Sequence, residues 1–318
     1  MKKGFVIAGI ILVLLGAGLF VFALVSAGGD LSKAGGSSAH KTVTHVVTEP
    51  FDGIKISASV TDVFLKPSED GSASVVCVES EKTEHRVAVE NGKLMITSED
   101  RREWFDFVSI FTKPLSVTVY LPSESYEALE ISSKTGDVSI PSGFTFGSID
   151  VSASTGDVSC SASAGGRLKI TATTGDVSVE RLNAGSIVVS VSTGRVKVSE
   201  VMCEGETYVN VTTGKAELNG LSCSALYSKG STGDVTLNRV TASALFNVER
   251  STGDIRFEES DAPEVTFKTT TGDIRGAFLT GKTFVTSTST GRIDVPGTSG
   301  GRCELTTTTG DIKASVKS

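Results

Sequence analysis

The chain is poor in the residues from which most catalytic and nucleic-acid-binding surfaces are built. Its 3 histidines, His40, His45 and His85, all precede the repetitive part described below, so no histidine-based triad can be assembled there. Its 5 cysteines are an odd number without Cys-x-x-Cys spacing, and no zinc site is expected from them. Aromatic residues are only 6%, and the net charge is −7 with no Lys/Arg-rich stripe or base-stacking set, which excludes nucleic acid as a partner. Nothing after the first few dozen residues has the pattern of an amphipathic helix. One long apolar run is present, Phe5 to Ala27, and it is confined to the N-terminus.

The remaining sequence is dominated by one phrase, Ser/Thr-Thr-Gly-Asp-Val/Ile. Its glycines are Gly136, Gly156, Gly175, Gly194, Gly214, Gly233, Gly253, Gly272, Gly291 and Gly310, spaced 19 or 20 residues apart. A fixed short period is the mark of a stacked repeat architecture. Aligned on the glycine, the positions two and four residues later are mostly Val, Ile or Leu, as are those seven and five residues earlier, with polar residues between. Each repeat therefore reads as two short strands with one apolar face.

Two arrangements satisfy this alternation, an antiparallel meander turning at Thr-Gly-Asp and a parallel coil turning there. A meander leaves a long open sheet with nothing in the chain to cover its apolar face. A coil buries its own inner face and stacks like on like, which accounts for the Thr that precedes all ten glycines. The expected fold is thus all-β, a right-handed parallel β-solenoid of about ten 19–20-residue coils. The position nine after the glycine is small (for example Ala184, Cys203, Cys223 and Ala242) and is expected to form a tight second corner.

In chain order, residues 1–4 are a short stub bearing Lys2 and Lys3, and 5–27 are long enough to span a bilayer as one helix. Val25-Ser26-Ala27 keeps cleavage as an alternative, and the positive charges keep the N-terminus inside and the bulk of the chain outside. Residues 28–42 read as a Gly/Ser-rich linker, 43–130 as an irregular β cap and 131–318 as the solenoid. Within the cap, Ile54 to Leu65 looks like a worn copy of the repeat without its glycine, and Asn91-Gly92 marks a hairpin. Trp104 to Phe111 is an aromatic segment expected to plug the open end of the core, with an exposed hook as the alternative. At the other end, Lys313 and Lys317 are expected to guard the free edge of the last coil, unless that edge stacks on another molecule.

The residue after the glycine is Asp137, Asp157, Asp176, Asp234, Asp254, Asp273 or Asp311 in seven coils and Arg195, Lys215 or Arg292 in the others. A carboxylate ladder invites calcium, yet each coil offers one carboxylate where such sites draw on several oxygens, so the expected role is turn stabilisation. Cys203 and Cys223 share a column on adjacent coils, and neighbouring buried thiols are expected in preference to a disulfide. Enzymes on β-helices need clefts built from long inserted loops, and the period here never varies enough to supply one. No catalytic, cofactor-binding or metal-ligating residue is expected.

The two N-terminal lysines, the membrane run, Phe51-Asp52-Gly53-Ile54-Lys55-Ile56, the strand ending in Leu121-Pro122 and the serial Thr-Gly-Asp-Val coils together resemble a bacterial β-strand-repeat family labelled "putative adhesin". That resemblance covers the whole chain and implies the solenoid fold and a role in binding at the cell envelope. Some members are similar to proteins encoded with envelope-stress systems. The family supplies no catalytic or ligand residues to carry over. The expected function is a membrane-anchored, outward-facing, non-catalytic binding or structural module. Its partner is expected to be an envelope or surface polymer, or alternatively a membrane protein, while a polysaccharide-active enzyme is the remote alternative.

Overall fold

The computed structural model describes residues 40–80, 82–100 and 115–317, so the expected membrane segment, most of the linker and Trp104 to Phe111 lie outside it. Every regular element among the described residues is a β-strand, and no helix there is long and apolar enough to cross a membrane. Like residues stack on like in parallel register. Leu129 pairs with Ile149, Ile149 with Leu168 and Leu168 with Ile187. Beyond the corner, Val138, Val158, Val177 and Val196 form a second column. Their side chains are buried in one continuous core, so the chain is a parallel β-solenoid rather than a meander.

The first corner explains the conserved phrase of every coil. Gly175 has φ +139, and a Cβ on it would lie 2.0 Å from the Gly156 carbonyl oxygen of the previous coil. Only glycine satisfies both the backbone angle and the stacking distance. The threonine column hydrogen-bonds along the stack through its carbonyls, with Gly156 N–H donating to Thr174 O at 3.1 Å. Each following aspartate then accepts the backbone N–H of its counterpart one coil on: Asp157 to Asp137 Oδ1, Asp176 to Asp157 Oδ1 and Arg195 to Asp176 Oδ1, all at 2.8 Å.

A second bend that the sequence does not announce comes before the small column. Six residues after the glycine, Arg181 (φ 51), Glu200 (φ 54), Arg239 (φ 52) and Glu259 (φ 47) adopt the left-handed conformation, as Gly220 (φ 66) does in its coil. The small residues Ala184, Cys203, Cys223 and Ala242 instead point into the core. The αL residue escapes notice because its identity changes from coil to coil.

The cap extends the same stack. Strands β1 (Lys41–Val47), β2 (Gly53–Val60), β3 (Asp62–Pro67), β4 (Ala73–Glu79), β5 (Thr83–Glu90), β6 (Lys93–Asp100) and β7 (Ser116–Leu121) precede the regular coils. The worn repeat is in register: Ile54 pairs with Leu129, and Asp62 Oδ1 accepts the Asp137 N–H at 2.9 Å. β6 stacks in parallel on β2 and β7 on β3, after which both ladders turn antiparallel, with β5 on β6, β4 on β7 and β1 on β4. The β5–β6 hairpin turns at Asn91 (φ 53) and Gly92 (φ 74), as a two-residue Asn-Gly loop requires.

At the other end the stacking order departs from the chain order. Strand Gly301–Thr309 lies between Glu264–Thr271 and Lys282–Ser287, pairing Cys303 with both Val265 and Phe284. The last coil is therefore interior, and the preceding one forms the end of the rod. This corrects the expectation that Lys313 and Lys317 guard a free edge: Lys313 faces Asp294 across a ladder, and Lys317 donates its N–H to Phe278 O at 2.8 Å. The reason lies in the inward residues. Cys303, Leu305, Ile312 and Ala314 are all buried, whereas the outer coil offers Thr286 and a half-buried Phe284, and leaves Val285 49% and Ile293 46% exposed. Burying the more apolar coil on both faces removes more surface from water.

Candidate functional site

The aspartate ladder is a structural device. One oxygen of each carboxylate described above is already committed to a backbone N–H, and in the later coils the other is committed to arginine. Arg256 pairs with Asp234 at 3.2 Å and Asp254 at 2.6 Å, and Arg275 with Asp273 at 2.7 Å and Asp311 at 3.4 Å. These oxygens do not converge on one point in the way a hard cation requires. All five cysteines are free and buried, including Cys203 and Cys223. Burial, and secondarily the neighbouring Cys203, push the Cys223 thiol up to about 12, leaving it unreactive. His45 and His85 sit on β1 and β5 of the cap.

One irregular column in the coils lies three residues before the glycine. That inward column runs Ser133, Ala153, Ala172, Val191, Val211, Gly230, Arg250, Thr269, Thr288 and Thr307. Arg250 is its sole charged member, and it is 5% exposed. Its Nη2 donates to Ser228 Oγ at 3.0 Å and its Nη1 to Glu249 O at 2.9 Å, while its buried Nε has no partner. Among the described residues it pairs with no carboxylate, since Glu249 is bridged to Lys229 at 3.3 Å. Desolvation brings the guanidinium down to about 10, so it stays charged at neutral pH.

Gly230 makes room for this group. A Cβ there would lie 2.9 Å from Arg250 Nη1 and 2.0 Å from Val211 O. The resulting open cleft, about 430 Å³, is lined by Asn210, Thr212, Lys229, Ser231, Glu249 and Ser251 together with Gly230 and Arg250. Alternation along the same strands places Tyr208 and Tyr227 on the outward face beside it, their rings stacked at 4.7 Å. Tyr208 is fixed by its hydroxyl, which donates to Glu206 Oε2 at 2.7 Å. The cleft combines hydroxyl, amide and ammonium donors with the Arg250 guanidinium, whose Nε–H is buried and unused, and the stacked tyrosines flank it on the outward face. It offers a single carboxylate, Glu249, held by Lys229, and so lacks the carboxylate pair that glycoside hydrolysis uses. The sequence carries the signal for this site, a lone charge in an otherwise small or hydroxylated column.

Solved structures share this architecture. A "putative adhesin" from Parabacteroides merdae superposes with TM-score 0.53 at 12% identity over 89% of this chain and 98% of that one. A "Putative lipid binding protein" from Parabacteroides distasonis superposes with TM-score 0.50 at 17% identity over 76% of this chain and 98% of that one. At these identities the likeness is one of fold. No curated protein matches the chain significantly. The Toastrack DUF4097 family model matches residues 51–217 and 205–318, which contain the worn repeat, the hairpin and every coil, and the chain belongs to that family.

Proposed function

We propose that the protein is a non-catalytic binding module, tethered to the membrane through Phe5 to Ala27, whose extracytoplasmic rod takes an anionic glycan polymer of the cell envelope in the Arg250 cleft. The observation that carries the reading is the buried Arg250 guanidinium with an unpartnered Nε at the edge of an open polar cleft. A buried cation without a counter-charge is costly, and an incoming carboxylate or phosphodiester supplies that charge. The stacked Tyr208–Tyr227 pair beside it suits the flat apolar face of a sugar ring. The adhesin-like architecture of the structural neighbours is consistent with a binding role at a surface.

The test is co-sedimentation of the full chain, in mild detergent, with isolated cell-wall polymer, with and without calcium, while the supernatant is assayed for released sugar. Saturable binding that is independent of calcium, releases no sugar and weakens when the anionic groups are removed from the polymer is the expected result. Release of sugar would make the protein an enzyme. Absence of binding would move the role to a membrane-protein partner, to be sought by cross-linking in intact cells.

A further inference from the structure

The cap gathers two of the chain's three histidines, a cysteine and a glutamate in one place. β1 and β4 pair antiparallel with His45 opposite Val75 and Val43 opposite Cys77, which puts His45 diagonally across from Cys77. Glu79 follows two residues along β4 on the same face. A ring nitrogen of His45, the Cys77 sulfur and a Glu79 carboxylate oxygen all lie within 4.8 Å of one another. Cys77 is 0% exposed and Glu79 7%. From β5, His85 closes on the same carboxylate: its backbone N–H donates to Glu79 Oε1 at 2.8 Å, and its Nδ1 lies 3.3 Å from that oxygen. The far ring nitrogen of His85 is 3.5 Å from Thr61 Oγ1.

One atom of this group is unaccounted for. His45 Nε2 is buried and has no hydrogen-bond partner. Buried ring nitrogens in an otherwise satisfied cluster are uncommon, and the other donors here, one sulfur and one carboxylate oxygen, converge on the same space.

We propose that His45, Cys77 and Glu79 form a binding site for a zinc-class divalent cation, with His85 as the positioning residue that orients the Glu79 carboxylate. The mixed nitrogen, sulfur and oxygen set selects a borderline metal over calcium or magnesium, which take oxygen. Metal–ligand bonds of roughly 2.0–2.3 Å place tetrahedral donor atoms roughly 3.3–3.7 Å apart, so the three side chains close by about 1 Å on binding. His85 holds Glu79 Oε1, the arrangement in which an outer histidine sets a ligand's direction. On binding, the Cys77 thiol releases one proton as its sulfur bonds the metal, and no oxidant or reductant is involved. The consequence is a clamp across β1 and β4, the outermost strands of one ladder.

The full chain, stripped with chelator and titrated with Co(II) alone and then Zn(II) alone, tests this. One cobalt per chain is expected, with a thiolate-to-cobalt charge-transfer band that zinc displaces and calcium does not. Cys77→Ser abolishes the band, and His45→Gln, at a less buried position that spares the fold, weakens binding by at least about 100-fold. His85→Gln weakens it by about 10–100-fold while keeping the band, as loss of an orienting partner should. The coil cysteines remain in every variant, so a band that survives Cys77→Ser, or binding unchanged in a folded His45→Gln protein, overturns the site. Absence of stoichiometric cobalt binding to wild-type protein overturns it as well.

Discussion

Along the coils, each residue's neighbour is its own equivalent, Thr155 between Thr135 and Thr174 and Val158 between Val138 and Val177. In the cap the neighbours are unlike, with Glu79 opposite Lys41 and β6 brought to β2 from beyond the β5 hairpin. The difference divides the work of the molecule. Repetition gives a rod whose every position is held by the same few interactions, so chemistry appears only where a column breaks, as at Gly230 and Arg250. The cap has no columns to keep, and distant residues such as His45, Cys77, Glu79 and His85 can meet there.

The largest effect is expected from breaking a shared column. Val177 is 1% exposed between Val158 and Val196, and Val177→Asp buries a carboxylate with no partner. It should cost several kcal/mol and abolish the cooperative melt seen by circular dichroism. Next comes the corner: Gly175→Ala meets both a φ of +139 and a carbonyl at 2.0 Å, for a loss of about 3 kcal/mol. The comparison is sharpened by Gly71→Ala in the cap, where φ is +74 but nothing lies within 4 Å, so its loss should be only about 1 kcal/mol. If the two glycine variants melt alike, stacking is not what requires glycine at the corner.

Smaller effects probe the edges of the same contrast. Asp176→Asn keeps an acceptor for the Arg195 N–H and should cost less than about 1 kcal/mol. Glu200→Gly relieves a left-handed residue at the second bend and should stabilise by up to about 1 kcal/mol, read as a higher denaturation midpoint. The smallest concerns the junction of cap and rod. Hydrogen bonds from Lys55 and then Lys93 hold the Glu130 carboxyl below its usual range. A depressed carboxylate contributes stability above its unfolded pKa of about 4.3, and that contribution is lost as pH falls through the folded value. Glu130→Gln should therefore flatten the acid limb of stability against pH slightly, the ion pairs being well exposed.

Much of the rod was legible because the glycine period, the strand parity and the closed inner face all point to one arrangement. The worn repeat at Ile54 to Leu65 and the Asn91-Gly92 hairpin were legible for equally local reasons. The second bend was not, since Arg181, Glu200 and Gly220 share a backbone angle and no side-chain property. Nor was the interior placement of the last coil, because a 19–20-residue period is the same whichever neighbour a coil stacks on. The cap cluster depends on the antiparallel register of β1 and β4, which no spacing in the sequence announces. Arg250 lay in plain view as a charge in an inward column, and its meaning depended on Gly230 beside it and on the missing counter-ion.

The most direct test of the functional account is to replace that charge and leave the fold alone. Arg250→Met keeps the length and apolar stem of the side chain and removes a buried, unpaired guanidinium. The account predicts that the full-length variant melts at the same temperature as the wild type or higher, while its saturable binding to anionic envelope polymer is lost. Retained binding, or a melting temperature lowered by several degrees, would contradict it and make Arg250 a packing residue.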